Sequence, residues 1–322
     1  MPSLQSLARN ARLGTAAYHL WHRPISWVRD TLKAGGPFEL RRTEQGRRDM
    51  EVAARSLPAL GPCAGAPVNL HLLTGARFWY QTAFCLWTLS RESGRTLAPV
   101  LYDDGTLTDP HRESLVRLFP RASFVPKAES VARIEAHLPA GRYPVLRERW
   151  GNYPHIRKIT DPHLHSDGWK LVIDSDLLFF RRPEFLLAWI DGPERPFHAL
   201  DCETSYGYPR PLMDALAGKH VADRVNVGLA GLNSGEIDWD RLESWCRELI
   251  AKKGTSYYLE QALVAMLVAG RACDVAPADD YVTLPGAEEA RGRRAVMHHY
   301  VAESKRWYFQ ENWRITIARA AR

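Results

Sequence analysis

Two carboxylates separated by one residue, Asp174 and Asp176, follow the clearest strand-like run of the chain, Trp169 to Ile173. Acids placed this way repel each other unless solvent screens them or a cation sits between them. Hard oxygen ligands of this kind favour magnesium or manganese, which can in turn grip phosphate oxygens. The same spacing also suits a helix N-cap beside a solvated turn acid. Two more strand-like runs end in acids: Asp103 and Asp104 close one, Asp201 and Glu203 the other. Open α/β sheets bind ligands where the carboxyl ends of their strands converge, so the acids mark one candidate edge.

The elements that must carry these acids alternate. Val68 to Leu73 is β-prone and stops at Thr74-Gly75, and Phe78 to Leu89 then has helical spacing of apolar residues. Thr96 to Tyr102 is a second strand, followed by a helix opening at Asp109-Pro110, and Ala122 to Val125 is a third strand. Beyond Trp169 to Ile173, strands are expected at Phe197 to Asp201, Val225 to Leu232 and Ala295 to Tyr300. One helix starts after Asp238 and stops at Lys252-Lys253-Gly254, and another covers Tyr257 to Ala269. Strands alternating with helices imply an α/β fold, its mainly parallel sheet covered on both faces. The Pro/Gly-rich stretch 57–67 marks the boundary between an extension, residues 1–60, and a catalytic-size domain, residues 67–322.

Composition narrows the class. With 45% apolar and 25% charged residues in 322, the chain is globular, and disorder, collagen-like repetition and a disulfide-dense mini-protein are excluded. Its longest stretch without a charged or strongly polar residue in the C-terminal half, Ala262 to Gly270, falls far short of the roughly 20 apolar residues that span a bilayer. Cys63, Cys85, Cys202, Cys246 and Cys273 form no Cys-x-x-Cys pair, a usage that suits a reducing cytoplasm. The net charge of +6 is concentrated at the start: residues 1–60 hold ten Lys/Arg and five acids, with no acid before Asp30. Nucleic-acid binding would require a basic face on the folded domain as well, and is not expected. Trp21 and Trp27 among the early arginines suggest two roles for a basic helical extension. It rests peripherally on an anionic membrane surface through residues 1–57, or it packs on the domain.

The order of Lys158, the run 170–180, the run 225–233, Glu260-Gln261 and the run 299–307 resembles the GT-A nucleotide-sugar-dependent glycosyltransferases. It is similar in particular to the retaining family 8 type, which includes glycogenin and bacterial lipopolysaccharide glucosyl- and galactosyltransferases. The resemblance covers roughly residues 68–307 and implies a Rossmann-like GT-A domain. It makes Asp174 and Asp176 the family's Asp-x-Asp and His299 a third metal ligand, so that manganese comes before magnesium as the expected ion. Lys305 then contacts the donor diphosphate, and Lys158 stands near it. Asn226 and Gly228 match an Asn-x-Gly near the transferred sugar, and Glu260-Gln261 matches an Asp-Gln near the reacting centre. The first strand's end, Leu73-Thr74-Gly75, would hold the nucleobase and ribose, with Asp103 or Asp104 as a further nucleoside contact. Three positions depart from the pattern: Ala302 replaces a glycine, Arg306 a proline and Glu260 an aspartate.

The resemblance thus implies transfer of a hexose, with UDP-glucose or UDP-galactose as donor, to a saccharide or lipid-linked saccharide acceptor. Cleaving a sugar from a nucleoside diphosphate builds negative charge on the departing phosphate, which a divalent cation and lysines stabilise. Rival readings are an aspartate-dependent phosphatase or phosphotransferase, a nucleotidyltransferase, and a nucleotide-sugar-binding protein without turnover. Each residue also has a plain structural role open to it. Lys158 suits a solvated helix face, one of His298 and His299 a core ring, Gly228 a bulge, and Trp307 to Trp313 simple burial.

Overall fold

The structure is a computed structural model and describes residues 35–61, 63 and 65–320. The expected extension's early arginines and both its tryptophans, Trp21 and Trp27, lie outside the described residues.

Seven strands form the main sheet in the order β3-β2-β1-β4-β7-β6-β8. They are β1 (Val68–Thr74), β2 (Leu97–Asp103), β3 (Ser123–Val125), β4 (Trp169–Ile173), β6 (Phe197–Leu200), β7 (Val225–Asn233) and β8 (Asp274–Val275). β1 runs parallel to β2 and β4, and β2 runs parallel to β3. β7 is antiparallel to both of its neighbours, β4 and β6. The sheet is therefore mixed and mainly parallel, with helices on both faces. One core includes Phe84, Trp87 and Leu70 together with Met50 and Ala54 of helix Pro37–Ala54. The other joins Val225 and Val227 to helices Trp239–Lys253 and Leu259–Leu267.

Local chemistry explains the elements. Helix Trp79–Ser93 is buried along nearly its whole length and stops at Gly94, whose φ of 65° closes the last turn. Each large apolar side chain it buries contributes roughly 2 kcal/mol. Asp238 caps helix Trp239–Lys253 by accepting from the Arg241 N–H at 3.0 Å, as its sequence position predicts. Nearly every residue of β7 is buried, the pattern of a central strand covered on both faces.

One feature differs from the sequence expectation. The run 295–300 yields a shorter strand, β10 (Met297–His299), which lies outside the main sheet. It pairs antiparallel to β5 (Leu177–Phe179) and parallel to β9 (Tyr281–Thr283) in a separate three-stranded sheet. β5 and β9 are too short to show a period in sequence, and β5 follows the Asp-x-Asp turn directly. The C-terminal aromatics are structural: Tyr308, Phe309 and Trp313 are buried. Among the described residues, no helix is long and apolar enough to cross a membrane.

Candidate metal centre

The carboxyl ends of β1, β2, β4 and β6 meet along one edge, and antiparallel β7 brings its own amino end, with Asn226 and Gly228, to that same edge. Asp174 leaves β4 opposite Gly228, and its N–H donates to the Gly228 carbonyl at 2.8 Å. The small sheet delivers the third group. His299 pairs with Leu177, and the Tyr300 N–H donates to the Asp176 carbonyl at 3.0 Å. One ligand atom from each of Asp174, Asp176 and His299 thus falls within 4.8 Å of the others. His299 Nε2 is 3.3 Å from Asp176 Oδ1 and 3.7 Å from Asp174 Oδ2.

Two lysines flank this trio. Lys158 Nζ lies 2.9 Å from Asp174 Oδ1 and 3.6 Å from Glu260 Oε1. Helix Arg157–His163 holds that lysine buried, so the solvated-face role does not apply. Burial alone would lower the Lys158 ammonium, but the charges of Asp174 and Glu260 outweigh it and raise it above the usual lysine range. Lys305 Nζ sits 3.1 Å from Asp176 Oδ2 on a side chain that is 40% exposed. Burial would raise the Asp176 carboxyl. Lys305 and His299 override it and hold the group well below the ordinary carboxylate range.

The two adjacent histidines divide their roles. His298 is fully buried and spans Tyr300 Oη at 3.0 Å and Glu289 Oε1 at 2.9 Å, while His299 faces the acids. Gly228 makes room for the His299 ring, because a Cβ there would lie 2.2 Å from His299 Cε1. The Gly228 N–H donates to Asn226 Oδ1 at 2.9 Å, which fixes that amide beside the centre. Ala302, where the family pattern has glycine, adopts φ 45°, the left-handed conformation that glycine takes freely.

Glu260 and Gln261 open helix Leu259–Leu267 next to Lys158. Burial lifts the Glu260 carboxyl to about 7, with Lys158 pulling it down and Asp174 pushing it up. Gln261 Nε2 donates to Asp201 Oδ2 at 2.8 Å. Asp201 was legible only as an acid at a strand end. Tyr153 was not legible: its hydroxyl accepts from the Glu260 N–H at 3.3 Å and donates to the Tyr257 carbonyl at 2.5 Å. Tyr257 itself is 68% exposed. A pair of tyrosines just before Glu260-Gln261 was the available signal for this rim.

The ends of β1 and β2 form a neighbouring feature. Gly75 lies so close to Asp104 that a Cβ would meet its carboxylate at 2.3 Å. Asp103 is committed to its own loop: one oxygen accepts from the N–H groups of Gly105, Thr106 and Leu107, and the other accepts from Arg112 Nη2 at 2.6 Å. Thr74 turns its hydroxyl inward to Thr82 at 3.0 Å, and Leu73 is half-buried in β1.

Two carboxylates and an imidazole form a donor set that suits a divalent ion. The acids arrive on a rigid strand end and the histidine on a paired strand, so the set is preorganised.

No protein-family model and no curated protein matches the chain in sequence. Among solved structures, it is similar over 81% of its length to the bifunctional glycosyltransferase WbbM, with 14% identity and a TM-score of 0.49. The chain spans about half of that protein, 53%. It is similar over 72% of its length to mouse xyloside xylosyltransferase 1, covering 98% of it at 14% identity and a TM-score of 0.47. Over 78% of its length it is similar to the galactosyltransferase LgtC, solved with donor and acceptor sugar analogues. There it covers 95% at 11% identity and a TM-score of 0.49.

Gly228→Ala should drive the His299 ring away from the acids. We expect Mn2+ affinity, measured by calorimetry, to fall at least about ten-fold while the circular dichroism spectrum stays unchanged. Unaltered affinity would separate His299 from the ion.

Proposed function

We propose that this chain is a metal-dependent glycosyltransferase of GT-A architecture, related to the retaining family 8 type. It moves a hexose from a nucleoside-diphosphate sugar, UDP-glucose or UDP-galactose first, to a saccharide or lipid-linked saccharide acceptor. The observation that carries this reading is the convergence of Asp174, Asp176 and His299 within 4.8 Å, flanked by Lys158 and Lys305. An aspartyl phosphotransferase has no need of an imidazole facing both of its acids, and so fits the site less well.

A divalent ion bound there supplies positive charge against the departing diphosphate. The chain's own residues do the rest. Lys305, the more exposed lysine, meets the phosphate from the solvent side. Lys158 stays buried and holds the Asp174 and Glu260 carboxylates in place. Glu260, whose side chain is 5% exposed and faces that ammonium, acts as a positioning group and not as a nucleophile. Gln261, steered by Asp201, and Asn226 present amides to the sugar. Transfer with retention then takes a front-face course. The acceptor oxygen bonds the anomeric carbon on the side from which the phosphate leaves, and its proton passes to a phosphate oxygen. The β1 and β2 ends, through Gly75 and Asp104, form the nucleoside side of the pocket.

The same proposal places the basic residues of 1–57 against an anionic membrane that presents a lipid-linked acceptor. Because Met50 and Ala54 belong to the core, the segment to remove is 1–34. Its deletion should abolish sedimentation with anionic vesicles, and sedimentation equal to that of the full chain would rule the membrane role out.

The central test is nucleoside-diphosphate release from UDP-, GDP-, ADP- and dTDP-sugars, with Mn2+ or with chelator. One donor should be hydrolysed slowly with Mn2+ only, and Asp176→Asn should reduce that rate about a hundred-fold or more. Turnover that survives both chelator and the substitution would contradict the reading.

A further inference from the structure

Between the sheet and helix Leu259–Leu267 lies a cavity of about 10 Å3, lined among others by Lys158, His163, Val172, Val264 and Glu260. Roughly 10–15 Å3 is the room that one water requires. His163 ends helix Arg157–His163, five residues beyond Lys158, and is 2% exposed. Its Nδ1 is 2.9 Å from Ser234 Oγ. Its Nε2 is buried and has no hydrogen-bond partner among the described residues, so it is the nitrogen left to meet the cavity.

Such an atom is costly. A buried polar group without a partner destabilises a fold by about 1–3 kcal/mol, and most of these atoms in folded proteins are satisfied by protein or by ordered water. The cavity is also lined by two buried ionisable residues, Lys158 and Glu260, with bonding capacity to spare. Of the three N–H groups on Lys158, one is directed to Asp174 at 2.9 Å and another faces Glu260 at 3.6 Å. A carboxylate as deeply buried as Glu260 retains acceptor sites beyond that one long contact.

We propose that this cavity holds one ordered water bound by His163 Nε2, the Lys158 ammonium and the Glu260 carboxylate, which makes His163 a positioning residue for the Lys158–Glu260 pair. Burial pushes the His163 ring down to about 3, so it is neutral and has one donor and one acceptor nitrogen. Whichever of these faces Ser234, a water can match the other, since it both donates and accepts. Three polar partners is the usual number for a buried water. Through Lys158 the water steadies the Asp174 carboxylate. That last step rests on the metal-centre reading above, whereas the water site itself does not.

The test uses crystals of the full chain at a resolution that shows ordered water, for wild type, His163→Leu and His163→Gln. Wild type should show a water within hydrogen-bonding distance of His163 Nε2 and of Lys158 or Glu260. His163→Leu should lack it and His163→Gln should keep it. A wild-type cavity without this water overturns the proposal, whatever the variants do. Calorimetric titration of the same proteins with Mn2+ tests the positioning role. The dissociation constant should rise about ten-fold in His163→Leu and return toward wild type in His163→Gln. Equal affinity in all three overturns that role. A wild type that holds the water but binds no Mn2+ sustains the water site and removes the positioning role together with the metal reading.

Discussion

Everything at this edge of the sheet follows from putting two carboxylates, Asp174 and Asp176, at the end of a buried strand. At separations under 5 Å and an effective dielectric near 20, two like charges oppose each other by roughly 3–4 kcal/mol. Without compensation one of the two acids would take up a proton. Here compensation is built in from two directions. Lys158 approaches Asp174 from the buried side, and Lys305 approaches Asp176 from the more open side. The two ammonium groups offset the repulsion, and the His299 ring faces both acids.

The topology exists to bring these groups together from distant parts of the chain. Running β7 antiparallel sets Gly228 against Asp174, and the absent Cβ of Gly228 leaves space for the imidazole. The three-stranded sheet joins the segment after Asp176 to the segment ending at His299, so two members of the cluster more than a hundred residues apart in sequence are fixed by one backbone pairing. Glu260 also lies within this charge balance. Its burial beside Lys158 ties the helix that carries Gln261 to the strand that carries Asp174.

Much of this was legible in the residues. Strands β1, β2, β3, β4, β6 and β7 and the helices beginning near Phe78, Asp109, Asp238 and Tyr257 follow apolar periodicity and turn chemistry, and Asp238 announced its helix as a cap. The helices Lys127–His137, Pro144–Asn152, Arg157–His163, Glu184–Asp191 and Arg210–Ala217 were not read from sequence. The three acidic strand ends lie along one edge of the sheet, where Asp174, Asp176 and His299 come together. What sequence could not show was pairing: that β10 leaves the main sheet, and that β7 runs antiparallel. Register depends on partners far away in the chain, which no local pattern declares. Lys158 looked like a surface lysine because burial of a charge is decided by the acids it meets, and those arrive from β4 and from helix Leu259–Leu267. Tyr153 and His163 were silent for the same reason: each acts through atoms that only folding brings near.

The most direct measurement is anomalous scattering from crystals of the full chain soaked with Mn2+ and a nucleoside diphosphate. One manganese peak bonded to Asp174, Asp176 and His299, with the diphosphate on its Lys305 side, is the expected result. A manganese ion bound elsewhere, or none at all with the Lys158–Asp174 and Lys305–Asp176 pairs undisturbed, would contradict it.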